Sequence, residues 1–258
     1  MTSDNKYNGP VKKATIIEKD SYETIRFYQY DRDGFLKEFT ADDGKYILQY
    51  KNGLKFKESW YTIPENELQG VKEFEYNVKR QLVRTMYHSR YGSSCTIYLY
   101  DKKNRIIKES IYELKECKEI LIQETEYIYC YTGQIAKVIR RKSNLEAKTR
   151  YTYDEDGILI RKHEYDYDGN LMKEIDFYHI NGQISQIIST VPNGDHYKTF
   201  TYDNRENCIK EEINMPPYDN KITIRRLFDS FNNCIQETYF RQDNLCPYRD
   251  IQTKIEYF

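Results

Sequence analysis

The 258-residue sequence has no run of about 18 apolar residues, the length at which a helix begins to span a bilayer. Its start, MTSDNKYNGPVKK, lacks the apolar stretch of a secretory signal. These two absences predict a chain with no membrane span and a cytoplasmic location, or a periplasmic or surface one if a leader has been removed. The six cysteines (Cys95, Cys117, Cys130, Cys208, Cys234 and Cys246) form no CxxC pair, and the four histidines (His88, His163, His179 and His196) are scattered. That excludes the usual zinc and thioredoxin-like spacings and leaves no Ser/His/Asp or Cys/His signature. Free thiols, no metal and no cofactor are expected. A Gly-rich phosphate loop is missing as well. Charge of one sign is also lacking: 40 basic and 41 acidic residues give a net charge of -1, with no global field to attract nucleic acid or an anionic surface. Aliphatic side chains are scarce, because the hydrophobic 39% includes 27 tyrosines. A compact Leu/Val/Ile core is therefore not expected, and amphipathic rings must supply much of the buried surface.

What is present is a repeat. The stretch YTYDEDGILIRKHEYDYDGNLMKE, residues 151–174, contains one phrase twice, and related phrases begin at Tyr30, Tyr50, Tyr76, Tyr100, Tyr129, Tyr153, Tyr165, Tyr178, Tyr202 and Phe228. Successive copies are 20, 26, 24, 29, 24, 12, 13, 24 and 26 residues apart, which marks a period near 24 with a half-step of 12. Residues before each Tyr alternate, with a second aromatic two places upstream at Tyr28, Phe74, Tyr98, Tyr127, Tyr151 and Phe200. Period two is the mark of a strand. An apolar residue and a charged or polar pair follow each turn, so every copy reads as strand, tight turn and returning strand. Intervals near 24 carry a second, more variable turn signal, such as ADDGK at 41–45 or VPNGD at 191–195. The expected fold is all-β: a repetitive antiparallel meander of about 18–20 short strands forming one large curved or coiled sheet, with regular turns on one edge and variable loops on the other. Residues 1–21 read as a lead-in that tolerates disorder, and 22–258 as a single repeat domain.

The Asp-rich turns contain the D-x-D-G fragment of calcium loops, but none supplies acids at the first, third and fifth positions with Glu at the twelfth. A structural role suits Asp31, Gly34, Asp101, Asp154, Gly157, Asp166, Gly169, Gly182 and Asp203 better: Asp accepts backbone N–H groups, and Gly takes the positive φ of the reversal. Asn104, Asn232 and Glu206 stand where other copies have Gly. Paired acids such as Asp154 and Asp156 could serve acid/base chemistry, yet an active site is needed once and the phrase occurs about ten times. No enzyme is expected. Tyr30, Tyr76, Tyr100, Tyr129, Tyr153, Tyr165, Tyr178, Tyr202 and Phe228 read as an aromatic ladder, ring against neighbouring ring, with the hydroxyls reaching water. The competing reading has exposed rings stacking on sugars or unpaired bases. Trp60, the only Trp, and Tyr61 fall outside the repeat register and are the candidate binding residues.

The phrases YDRDGFL, YDEDGIL and YDYDGNL resemble the YD repeat of the RHS family, and YDNRENCIKE and FDSFNNCIQE resemble its YDxxGNxIK variant, over residues 22–240. In large RHS proteins such repeats coil into a β shell around a toxic C-terminal domain preceded by a DPxGR-type motif. This sequence has no such motif, and its end, NLCPYRDIQTKIEYF, is too short for a toxin. The resemblance implies a short stand-alone YD-repeat protein of bacteria. It further implies a non-enzymatic protein-binding scaffold, most specifically an immunity protein that binds and neutralises a toxin. The alternative is a carbohydrate-binding cell-surface or periplasmic protein using Tyr and Trp60.

Overall fold

Strong alternation of Thr, Tyr, Phe and Ile with charged residues, punctuated by Asp, Asn and Gly, favours strands and tight turns. The structure, a computed structural model, describes residues 11–19, 23–41, 44–115, 118–191, 194–215, 220–241 and 247–257. Among the described residues there are twenty strands and no helix. They are β1 (Val11–Lys19), β2 (Glu23–Tyr30), β3 (Leu36–Ala41), β4 (Gly44–Lys51), β5 (Leu54–Tyr61), β6 (Leu68–Tyr76), β7 (Leu82–Ser89), β8 (Gly92–Tyr100), β9 (Ile106–Lys115) and β10 (Lys118–Tyr129). The series continues with β11 (Ile135–Lys142), β12 (Leu145–Tyr153), β13 (Leu159–Tyr165), β14 (Leu171–Ile180), β15 (Gln183–Val191), β16 (Gly194–Tyr202), β17 (Cys208–Met215), β18 (Asn220–Phe228), β19 (Cys234–Arg241) and β20 (Arg249–Tyr257). The all-β antiparallel meander expected from the repeat is the architecture found.

Two compact units share the chain. Unit 1 holds the described residues within Met1–Gln49, Ser59–Leu68 and His196–Phe258; unit 2 holds Tyr50–Glu58 and those within Gln69–Asp195. In unit 2, β6 to β15 pair antiparallel in chain order. One face carries an uncharged row in which Tyr127, Val138 and Thr149 are successive cross-strand partners. The other carries an ionic row, in which Glu124, Arg141 and Glu146 are partners in the same way. The apolar interior is thin: Cys95, Val138, Ile139 and Ile175 are buried, and Gln69, Gly70, Thr85, Ser110, Thr125 and Thr149 are the other covered positions among the described residues. β-Branched and small side chains lie under longer neighbours, which is how a chain short of aliphatic residues covers its sheet.

In unit 1 the order runs β16-β17-β18-β19-β20-β1-β2-β3-β4, because β1 pairs with both β2 and β20. Residues 11–19, expected in the lead-in, are thus a fully engaged strand, with Val11, Ala14 and Ile16 buried. Residues 1–10 and 20–21 of that lead-in lie outside the described residues. The pairing of the first and last strands corrects the expectation of an open curved or coiled sheet. The sheet is closed at the chain ends, and neither β1 nor β20 is an edge.

The same pairing overturns the expectation of no membrane span. That expectation rested on the lack of a long apolar run, and among the described residues no helix is long and apolar enough to cross a membrane. Such a test has no bearing on strands: a sheet closed on itself satisfies its backbone internally, which is the condition under which strands cross bilayers.

Candidate functional site

Eight turns are built to one pattern. In each, the N–H of the first residue donates to the carbonyl of the fifth, from Asp31 to Phe35 through Asn77, Asp101, Cys130, Asp154, Asp166 and Asp203 to Asp229, at 2.9–3.0 Å. The carboxylate then closes the turn: Oδ1 of Asp31 accepts from the amides of Asp33 (3.0 Å) and Phe35 (2.9 Å). Asp101, Asp154, Asp166, Asp203 and Asp229 each accept from the amides two and four residues on, within 2.8–3.0 Å. Asn77 does the same with Lys79 and Gln81, both 3.0 Å. The fourth residue is left-handed: Gly34, Gly133, Gly157 and Gly169, but also Arg80, Asn104, Glu206 and Asn232 at φ 63°, 64°, 66° and 62°. A register shift accompanies these turns, for example between Gln29 and Tyr30 or Thr152 and Tyr153. This is a type I turn closed by a G1-type bulge. Gly182 differs; it follows Asn181 in a two-residue hairpin with φ 52° and 78°, the I′ geometry of Asn-Gly.

Neighbouring turns are tied sideways. In unit 2, Arg80 Nη2 donates to Asn52 O (2.8 Å), Gln81 Nε2 to Asn104 Oδ1 (3.4 Å) and Gln134 Nε2 to Gly157 O (2.7 Å). The turns after β6, β8, β10, β12 and β14 share one edge, because the strands alternate in direction. Asp166–Asn170, after β13, lies on the opposite edge with Arg90–Tyr91 and Ser143–Asn144. The half-step of 12 in the sequence is therefore a repeat-type turn placed on the edge of the variable loops.

The repeat tyrosines work through their hydroxyls. Tyr76, Tyr100, Tyr129 and Tyr153 donate to the carbonyls of Lys55, Leu82, Ile106 and Ile135 at 2.8, 2.7, 2.6 and 2.9 Å. Each accepting residue lies at the start of the preceding strand, where a backbone carbonyl, and not water, receives the hydroxyl. Burial raises the pKa of Tyr100, Tyr129 and Tyr153. Tyr127, one register upstream of Tyr129, is pushed up to about 12 by burial and by the charge and hydrogen bond of Glu109. Tyr30 is buried, Tyr165 lies under the Arg150 guanidinium at 5.3 Å, Tyr178 is exposed and Phe228 lines a cavity. Burial also raises the pKa of Tyr202.

Trp60 belongs to a row of stacked rings in unit 1: Tyr28–Phe39 at 5.9 Å, Phe39–Tyr46 at 4.5 Å and Tyr46–Trp60 at 6.2 Å, with interplanar angles of 10°, 2° and 14°. Rings arranged this way turn their faces to one another. Trp60 also lies over Gly44, where an added Cβ would collide with the indole nitrogen and with Tyr61 O. Trp60 and Tyr61 thus cover the backbone of β4. His163 is held by Glu174 (Nε2 to Oε2, 2.9 Å), with the Tyr165 ring 6.2 Å away. It belongs to an ion-paired row with Arg161, which reaches Asp176 at 2.6 Å. Among the described residues no cluster of three His, Cys, Asp or Glu could hold a metal ion. Cys95, Cys130, Cys208 and Cys234 are free thiols; Cys117 and Cys246 lie outside the described residues.

Two features escaped the sequence. The first is the pair of tip residues in each turn, whose side chains carry none of the bonds that recur from turn to turn: Val78 and Tyr131 are almost fully exposed, at 102% and 95%. The signal was present, since these positions vary while their flanks repeat. The second is a cavity of about 410 Å³ in unit 1, lined in part by Ile16, Glu18, Arg26, Arg249 and Ile251. These residues come from β1, β2 and β20, and only the pairing of the terminal strands assembles them.

No family model matches the chain, and no curated protein matches it. Solved structures that match the chain include the TcdB2-TccC3-TEV crystal structure, 12% identical with a TM-score of 0.41, where the match covers 87% of this chain and 15% of that one. A porin-like protein from Bacteroides uniformis is 11% identical with a TM-score of 0.43, covering 98% and 100%. Hsv2 from Kluyvelomyces marxianus is 10% identical with a TM-score of 0.27, covering 86% and 96%. The chain thus spans about 15% of the first of these.

Proposed function

We propose that the chain is a non-enzymatic protein-binding repeat scaffold, of the YD-repeat kind, whose recognition surface is the row of turn tips. The observation that carries this reading is the division of labour inside each turn. The first, fourth and fifth residues and the amide of the third are committed to the turn or to its neighbour, while the side chains of the second and third face solvent on a laterally bonded edge. Rigid frames with variable loop positions are how repeat and loop-bearing proteins bind large partners. In unit 2 the tips on one edge are Val78–Lys79, Lys102–Lys103, Tyr131–Thr132 and Glu155–Asp156, a mixed surface with exposed aromatic and apolar anchors. Such anchors suit a protein partner better than a uniformly charged one. The acids that suggest catalysis or calcium are instead engaged by backbone amides.

Affinity capture from the native host, run in parallel with wild type and a Val78→Ser/Tyr131→Ser double variant, tests the reading. A stoichiometric protein retained by wild type and lost by the variant, with unchanged thermal melting of the two chains, supports it. Retention by both, or by neither, sinks it. If the captured protein is toxic alone and harmless when co-expressed, immunity is the specific form of the function.

A further inference from the structure

The unit 1 cavity holds two buried polar atoms of opposite character, each without a hydrogen-bonding protein partner among the described residues: Glu18 Oε2, an acceptor, and Arg249 Nε, a donor. The two side chains meet through a single contact, Arg249 Nη2 to Glu18 Oε1 at 2.7 Å. An Arg–carboxylate pair commonly closes as a fork of two parallel bonds. Here the second bond is open, and both of its atoms belong to residues lining the cavity. Arg26 adds a second guanidinium, with Nη2 3.8 Å from Glu18 Oε2. Ile16, Ile251 and Phe228 supply apolar wall. Leaving buried charged atoms unsatisfied is costly, so a built site of this kind calls for a ligand that offers both a donor and an acceptor. Its volume lies in the range of small-molecule sites.

We propose that this cavity binds a small zwitterion, with an ammonium directed to Glu18, a carboxylate directed to Arg249 and Arg26, and an apolar body against Ile16, Ile251 and Phe228. The cavity is formed by β1, β2, β18, β19 and β20 with Asn232 and Asn233 of the turn between β18 and β19, and by no tip residue, so the proposal is independent of the turn-tip reading.

Isothermal calorimetry on the full wild-type chain decides it with three probes that differ by one charged group: L-phenylalanine, 3-phenylpropanoate and 2-phenylethylamine. Saturable binding of L-phenylalanine is expected, with each single-ended analogue weaker by roughly 10- to 100-fold, the loss that accompanies one charge-assisted hydrogen bond. Arg249→Met should bring L-phenylalanine down to the level of 2-phenylethylamine. If that variant fails to fold, the wild-type series stands by itself. Equal affinity for all three probes, or no saturable heat with any of them below about 10 mM, overturns the proposal.

Discussion

At the residue scale the turns show why the same position tolerates Asp and Asn. What the backbone requires is one acceptor aimed at two amides, and Asn77 provides it as Asp203 does. Asp203→Asn should therefore leave the melting temperature nearly unchanged, since Asn207 can turn its carbonyl to the new amide as Gln81 does toward Asn77 at 2.7 Å. Asp203→Ala should lower it clearly, because two amides and the Asn207 side chain lose their acceptor. Equal melting of the two variants would show that the carboxylate does not hold the turn. Glu206 offers the converse test. At φ 66° it occupies a region that disfavours side chains by roughly 1–2 kcal/mol, against which glycine loses part of the gain to backbone entropy. Glu206→Gly is expected to stabilise by about 0.5–1 kcal/mol in urea unfolding, and a destabilisation would contradict the strain.

At the element scale the hairpins depend on two devices, the Asp turn and the Tyr hydroxyl, and both have measurable signatures. Asn170 by side chain and amide, and Asn207 likewise, hold Asp166 and Asp203 below the usual carboxylate range; the Arg105 amide and guanidinium do so for Asp101. A depressed folded pKa contributes stability that is complete above the unfolded value near 3.8 and is lost as pH falls through the folded value. The double variant Asp166→Asn/Asp203→Asn should match wild type at pH 7 and lose less stability between pH 5 and 2, followed by denaturant midpoints. Parallel curves for the two proteins would remove these carboxylates from the acid limb. Tyr153→Phe should cost about 0.5–1.5 kcal/mol through the orphaned Ile135 carbonyl, with no change in far-ultraviolet circular dichroism. These devices were partly legible beforehand. The period, the left-handed Gly, Asn and Glu positions and the strand alternation are local, and local patterns survive in a sequence. The destination of the Tyr hydroxyls was not, since the accepting carbonyl is 18 to 23 residues away and bears no side-chain mark.

At the scale of the whole molecule, what the sequence could not show is closure. VKKATIIEK and RDIQTKIEY carry no YD phrase, and nothing local says that Ile16 will face Thr253 or Ala14 will face Ile255 across a separation of more than two hundred residues. Yet this pairing fixes two conclusions: that the sheet lacks terminal edges, and that Glu18 meets Arg249. It also explains how a meander this long avoids offering β1 or β20 to another chain, the hazard of any open edge. If β20 is integral to the sheet, Thr253→Pro should be severe. Proline removes a ladder donor between β19 and β1 and its ring does not fit an interior strand, so a loss of at least about 3 kcal/mol is expected, with aggregation on warming. Denaturant unfolding with light scattering reads both effects. Were β20 a loosely attached tail, the substitution would stay within about 0.5 kcal/mol of wild type, as exposed positions do. That outcome would also remove the wall on which Arg249 stands, so the same experiment bears on the cavity as on the closure.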